Sequence, residues 1–155
     1  MATITPGIVS DWVLEVAAYA DGATPTTFTQ VKGITNYTPP GVSKDRQDDS
    51  DFDSGAWASQ VATGLSYELT GTCKVPRAGM AVDPGQEILR AAGMNVAEDG
   101  FVHFRTYKRG ATTGLQGVID ANFTEGGGSR TDLTTAEFGG PGRGPALPYT
   151  IPVTP

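Results

Sequence analysis

The chain has 155 residues, 11 Lys and Arg against 17 Asp and Glu for a net charge of -6, and 38% hydrophobic against 18% charged residues. That length suits one domain burying roughly two-thirds of its unfolded surface. The composition excludes a disordered polyelectrolyte, a chain with transmembrane helices and a tight nucleic-acid binder, which would need clustered basic residues. The 21 Gly and 11 Pro have no three-residue period and punctuate the chain too often for collagen or a helical bundle, so the expectation is a soluble, folded, mainly β domain.

Trp12 to Tyr19 is rich in strand formers and runs into Asp21-Gly22, which predicts a first strand and a turn. Phe28 to Ile34 predicts a second strand, ended by Pro39-Pro40-Gly41, whose rings remove backbone donors. Residues 41–60 contain the run Lys44 to Asp53, which has no apolar period and sets like charges side by side. This predicts a long acidic loop between the second and third strands, longer than a plain connector in a compact domain. Its aromatics have two readings. Phe52 and Trp57, with Asp48, Asp49, Asp51 and Asp53 around them, are anchors at a protein interface, or they fold back on their own core.

Leu65 to Val75 alternates clearly, with Leu65, Tyr67, Leu69, Cys73 and Val75 on a buried face and Ser66, Glu68, Thr70, Thr72 and Lys74 on an exposed one. Asp83 as N-cap, Pro84 at the first helical position, Gln86 three residues after the cap and Gly93 at the end predict a helix over 84–92. Its Ile88, Leu89 and Ala92 should face the sheet. Phe101 to Lys108, Gly117 to Thr124 and Thr131 to Phe138 follow as a meander, separated by Arg109-Gly110 and Gly126-Gly127-Gly128-Ser129. Residues 143–155 are expected to be unable to continue a sheet because Pro recurs, and to form a tail or an arm lying on a neighbour. The expected architecture is a β-sandwich or squat barrel of six to seven strands with one short α-helix packed on its side. One domain spans residues 1–142, with a Gly/Pro-rich C-terminal arm at 143–155.

Catalytic chemistry has little to work with. The single imidazole, His103, lies mid-strand and is expected to be a half-exposed strand histidine, and Cys73 shares a face with Leu69 and Val75, which predicts a buried, unreactive thiol. Asp49-x-Asp51-x-Asp53 matches the start of an EF-hand calcium loop. The match fails where Ser54 replaces the turn glycine and Gln60 replaces the bidentate glutamate, so it reads as a solvated acidic loop. Neither Gly-rich stretch has the Lys-Ser/Thr ending of a phosphate loop. No catalytic, cofactor-binding or metal-ligating residue is expected, no cofactor and no membrane. The lone thiol and the absence of a basic and apolar leader in Met1 to Pro6 predict synthesis in a reducing cytoplasm.

The order Val31-Lys32-Gly33-Ile34, acidic loop, Gly64-Leu65-Ser66-Tyr67-Glu68-Leu69-Thr70-Gly71, helix Pro84 to Ala92, Phe104-Arg105, Gly114 to Ile119, Glu125 to Gly128 and Ala136 to Gly142 resembles the tail tube (major tail) proteins of long-tailed bacteriophages. The resemblance runs from about residue 10 to 142 as a pattern of elements. It implies a structural virion protein and no enzyme. Rings, usually of six subunits, would stack into a hollow tail tube through which phage DNA passes without specific binding, neighbouring sheets joining into one barrel. The implied partners are other copies of this chain, a tape measure protein, a tail terminator and tail-tip proteins, and the implied place is the virion tail, after synthesis in the host bacterial cytoplasm. The long loop would reach the adjacent ring or subunit, and be mobile until stacking orders it. Arg143, Tyr149 and Ile151 of the arm are candidate contacts between subunits. Two alternatives stay open: a soluble β-sandwich binding module for a glycan or protein, with Trp12, Tyr37 and Trp57 as a stacking platform, and another tail or connector subunit of similar fold.

Overall fold

The computed structural model describes residues 3–21 and 23–152. Its strands in chain order are β1 (Trp12–Ala18), β2 (Thr29–Gln30), β3 (Ile34–Thr38), β4 (Ser43–Asp48), β5 (Gln60–Ser66) and β6 (Glu68–Lys74). The helix α1 (Pro84–Gly93) follows, then β7 (Phe101–Lys108), β8 (Thr113–Asp120), β9 (Asn122–Glu125) and β10 (Thr135–Thr150). One curled antiparallel sheet runs in the order β2-β1-β7-β8-β10-β6-β3 with β9 beside β10, while β4 and β5 form a separate two-stranded sheet. The fold is the mainly β, squat half-barrel with one helix that the strand and turn pattern predicts.

The helix starts where the sequence places it. The Asp83 carboxylate accepts from the Gln86 backbone amide at 3.2 Å, Pro84 opens the first turn, and Leu89 and Ala92 are buried while Ile88 is half-buried against the core. Gln86 is an unforeseen buried residue. Its side-chain amide donates to the carbonyls of Lys32 and Lys74, both at 2.8 Å, and so ties the helix start to the β2–β3 connection and to the end of β6.

Strand β10 holds the two halves of the sheet together. Thr135 to Pro141 pairs with β6, and Gly142 to Thr150 pairs with β8. The crossing point is Gly139-Gly140, with φ of 123° and 153°. A Cβ there would collide with the Leu69 carbonyl or the Asp120 carbonyl, so only glycine lets one strand pass between the two partners. Inside the curl, Leu14, Val16, Leu69, Val102, Phe104, Ile119 and Phe138 form one core with Leu89 of the helix.

Five sequence expectations change. The second strand is split between β2 and β3, and the segment from Gly117 to Thr124 between β8 and β9. The acidic loop at 41–60 is largely a hairpin arm, because β4 pairs with β5 from Ser43↔Ser66 to Asp48↔Gln60. A strand exposed on both faces needs only the backbone ladder, so it carries none of the apolar alternation that marks a buried strand. For the same reason Leu65, expected in the core, is 70% exposed: it lies on β5 of the arm, while the buried alternation begins at Tyr67. Residues 143–150, expected outside any sheet, form the second half of β10. The ladder accommodates them because Gly144, Pro145 and Ala146 sit in an irregularity between Arg143 and Leu147, and because this half has one strand partner among the described residues. Gly22 of the first expected turn and residues 153–155 of the expected tail lie outside the described residues.

Candidate functional site

Three surfaces stand apart from the core, and all three are positioned by one four-stranded patch, β3-β6-β10-β9. The first is the hairpin arm. All six residues of β4 are exposed, as are all of β5 except half-buried Gly64. The tip is shaped by its own polar groups. Asp48 accepts from the Ser50 amide at 2.8 Å, Asp51 accepts from the Asp53 amide at 3.0 Å and from the Ser54 hydroxyl at 3.0 Å, and the Ser59 amide donates to the Ser50 hydroxyl at 2.8 Å. Hydrogen bonding from Ser50 holds the Asp48 carboxyl below its usual value. The tip presents the side chains of Asp48, Asp49, Asp51 and Asp53, with no ion pair to any of them among the described residues. Phe52 is 108% and Trp57 85% exposed. They do not fold back on the core.

The second surface is the outer face of the same four strands. Register aligns Asn36, Thr72, Glu137 and Thr124 in one row, and Thr38, Thr70, Gly139 and Asn122 in the next. The row between them is Tyr37, Gly71, Phe138 and Phe123, so an apolar row alternates with the two polar ones across these strands. A shallow cleft of about 410 Å³ lies over these rows, lined by Glu68 and Glu137 and by no Lys or Arg. Glu68, Thr70 and Thr72 lie on the polar face that alternation assigns them. Their neighbours from β3, β9 and β10 are brought in by topology alone.

The third surface was not foreseen. At the end of β6 opposite the arm, residues 74–78 and 132–134 enclose a cleft of about 680 Å³. Val75, Pro76, Ala78 and Leu133 supply its apolar wall and Lys74 and Arg77 its charge. Leu133 is 77% exposed, and the loop between β6 and α1 exposes Met80 and Val82. The acidic residues of the lining are engaged elsewhere: Glu125 pairs with Arg90, and the Asp132 carboxylate accepts from the amide and hydroxyl of Ser129. The sequence signal was an isolated Leu in a Gly/Ser/Asp stretch, and Lys74-Val75-Pro76-Arg77 directly after a strand.

The remaining candidates are placed as follows. Arg143 lies over the Phe101 ring at 4.5 Å, Tyr149 stacks on Arg105 at 4.3 Å, and the Ile151 amide donates to the Thr112 carbonyl at 2.9 Å, so each is engaged by its own chain. Trp12 and Tyr37 pack on each other with ring centroids 6.0 Å apart, and Tyr37 is buried. With Trp57 in the arm, the three aromatics are not the exposed platform that sugar stacking requires. His103 is buried rather than half-exposed. It stacks on Tyr19 at 5.3 Å, its Nε2 has no hydrogen-bond partner among the described residues, and burial holds its pKa below the usual value. The sheet explains this: β7 is flanked by β1 and β8 and is covered on both faces along most of its length. Cys73 is fully buried, as expected, and desolvation pushes its thiol up to about 11. Among the described residues no group of three or more His, Cys, Asp or Glu could hold a metal ion, and no helix is long and apolar enough to cross a membrane.

No family model matches the chain. No curated protein matches it either. Solved structures do. A chain in the tail of an empty gene transfer agent (GTA) particle, refined with C6 symmetry, superposes with a TM-score of 0.65 at 13% identity, covering 92% of this chain and 98% of that one. A chain of the anti-feeding prophage (AFP) baseplate gives 0.65 at 6% identity, covering 97% and 100%. The SPP1 tail tube protein gives 0.60 at 12% identity, covering 94% and 80%. At such identities the likeness is one of fold, and over nearly its whole length this chain has the fold of subunits that build phage and phage-like tail structures.

Proposed function

We propose that this chain is a structural tail subunit that self-assembles into stacked hexameric rings, forming a hollow tube through which DNA passes. The observation that carries the reading is the hairpin arm: 24 residues from Ser43 to Ser66 project from the body with two large aromatics in water. A two-stranded hairpin is marginal alone, so an arm of this size finds its stability against another subunit. The expectation that it orders on stacking has the same physical basis.

The other surfaces fit the same assembly. β3 and β9 have no further strand partner among the described residues, so the four-stranded patch can join a neighbour at each side and close into a barrel. The polar rows with Glu68 and Glu137 are the candidate channel wall, because a surface without Lys or Arg repels phosphate and lets DNA slide. The one-sided second half of β10, with Arg143 and Tyr149, is the candidate site of the arm contact expected between subunits. Ring number six rests on the C6 symmetry of the GTA tail. Tape measure, terminator and tip proteins would complete the tail, the role is not enzymatic, and the place is the virion after synthesis in the host cytoplasm.

Electron microscopy of concentrated purified protein tests this. Uniform hollow rings or tubes are expected, and sixfold class averages for the ring. Particles that stay monomeric at every concentration would refute it.

A further inference from the structure

We infer that the cleft walled by Val75, Pro76, Ala78 and Leu133, with Lys74 and Arg77 on it, is the receptor for the hairpin tip of a second copy of this chain, so that Phe52 and Trp57 of one subunit enter the cleft of the next. The inference rests on the proposed stacking and names the surface that receives the arm.

Placement is the first argument. The chain leaves β3 at Thr38 for the arm and returns from it into β6 at Glu68, whereas the cleft begins at Lys74, the other end of β6. The root of the arm and the cleft therefore lie at opposite ends of one strand. A contact that joins the arm of one copy to the cleft of the next is head-to-tail, and it repeats without closing and so builds a stack rather than a dimer.

Charge is the second argument. The tip carries four aspartates, Asp48, Asp49, Asp51 and Asp53, and the first 60 residues hold 8 acidic against 3 basic side chains. At the cleft, Glu125 is paired with Arg90, Asp132 accepts from the Ser129 amide, and Lys74 and Arg77 make no ion pair among the described residues. With three basic side chains against two acidic ones in its lining, the cleft has the opposite sign to the acidic tip, which steers the approach and favours one register.

Chemical fit is the third argument. Phe52 and Trp57 are fully or largely in water, and the cleft offers a concavity of about 680 Å³ whose walls are mostly apolar. Aromatic anchors entering an apolar pocket rimmed by charge is the arrangement that concentrates binding energy in an interface.

The experiment is a charge swap in the full chain, read as the protein concentration needed for tubes by sedimentation and electron microscopy. Lys74→Glu with Arg77→Glu, and separately Asp51→Lys with Asp53→Lys, are each expected to raise that concentration about tenfold or more, and the four changes together to restore most of the loss. All four side chains are exposed, so thermal unfolding of each variant should match the parent. If the tip variant loses assembly while the cleft variant keeps it, the receptor assignment is overturned and the proposed stacking stands. If neither variant affects assembly, the arm is not the stacking element and the proposed role of the hairpin falls with it. Cross-linking gives a second readout that keeps both the aromatics and the apolar wall: Ala56→Cys with Thr134→Cys, at exposed positions of the tip and the cleft, and a short bismaleimide should yield a ladder of covalent oligomers from assembled tubes. Intact tubes that give only monomers would overturn the contact.

Discussion

The Tyr37 hydroxyl lies 2.6 Å from the Thr106 hydroxyl, across the core between β3 and β7. Thr106 in turn donates to the Val13 carbonyl at 3.0 Å, so its proton is committed and Tyr37 is the donor in the pair. This relay, with the Tyr67 hydroxyl donating to the Val118 carbonyl at 2.9 Å, fastens the two walls of the curled sheet to each other. Burial raises the Tyr37 pKa, which keeps the phenol protonated as a donor.

The pair can be dissected. Tyr37→Phe removes the donor and leaves Thr106 bonded to Val13, at an expected cost of about 1 kcal/mol. Thr106→Val leaves a buried phenol without its acceptor and should cost more, about 2–3 kcal/mol. Urea unfolding of both and of the double variant checks this. A double variant no worse than Thr106→Val is expected, and strictly additive losses would contradict the coupling.

Gly140→Ala should unfold or severely destabilise the chain, by about 3 kcal/mol or more, since a Cβ would meet the Asp120 carbonyl and the φ of 153° is unsuited to any other residue. Gly127→Ala is the control. It has open space around it, and its melting temperature should stay within about 2 °C of the parent.

Acid sensitivity should trace in part to His103. Burial depresses its folded pKa below the unfolded value near 6.5. Its contribution is therefore fully present above about pH 6.5 and is lost as pH falls through the folded value, because the unfolded chain takes up the proton first. Between about pH 7 and pH 5 the parent should lose more stability than His103→Gln. Parallel losses in the two chains would show that other groups carry the effect.

Arg105 is clamped between two rings, with its Cζ 3.9 Å from the Phe28 centroid and 4.3 Å from that of Tyr149. Arg105→Ala should cost about 1–2 kcal/mol in chemical denaturation, and Arg105→Lys should recover less than half, since an ammonium lacks the flat face that stacks on both rings. Full recovery by Lys would reduce the clamp to simple charge.

At the arm, Phe52→Ser with Trp57→Ser should leave the unfolding midpoint unchanged, because both rings are in water, and should abolish tube formation at concentrations where the parent assembles. Assembly at the parental concentration would remove the aromatics from the interface.

Local patterns determined much of this protein. The Asp83 cap and Pro84 place the helix, period-two alternation from Tyr67 to Cys73 assigns the faces of β6, and Phe101 to Lys108 is bounded by its own turn signal. These features depend on residues within a few positions of each other, so they are legible without a fold. What the tertiary structure decided is long-range. The polar residues at 43–48 become a strand only because 60–66 lies beside them, and the prolines after 140 are tolerated only because β10 has one neighbour there. His103 is buried because β1 and β8 flank it, and Leu133 walls a cleft only because β9 and β10 bring its loop to the end of β6. The net charge of -6 was evident from composition. Its separation into an acidic arm rooted at one end of β6 and, at the other, Lys74 and Arg77 with no ion pair among the described residues depends on which way that strand runs, and a one-dimensional sequence does not encode that direction locally.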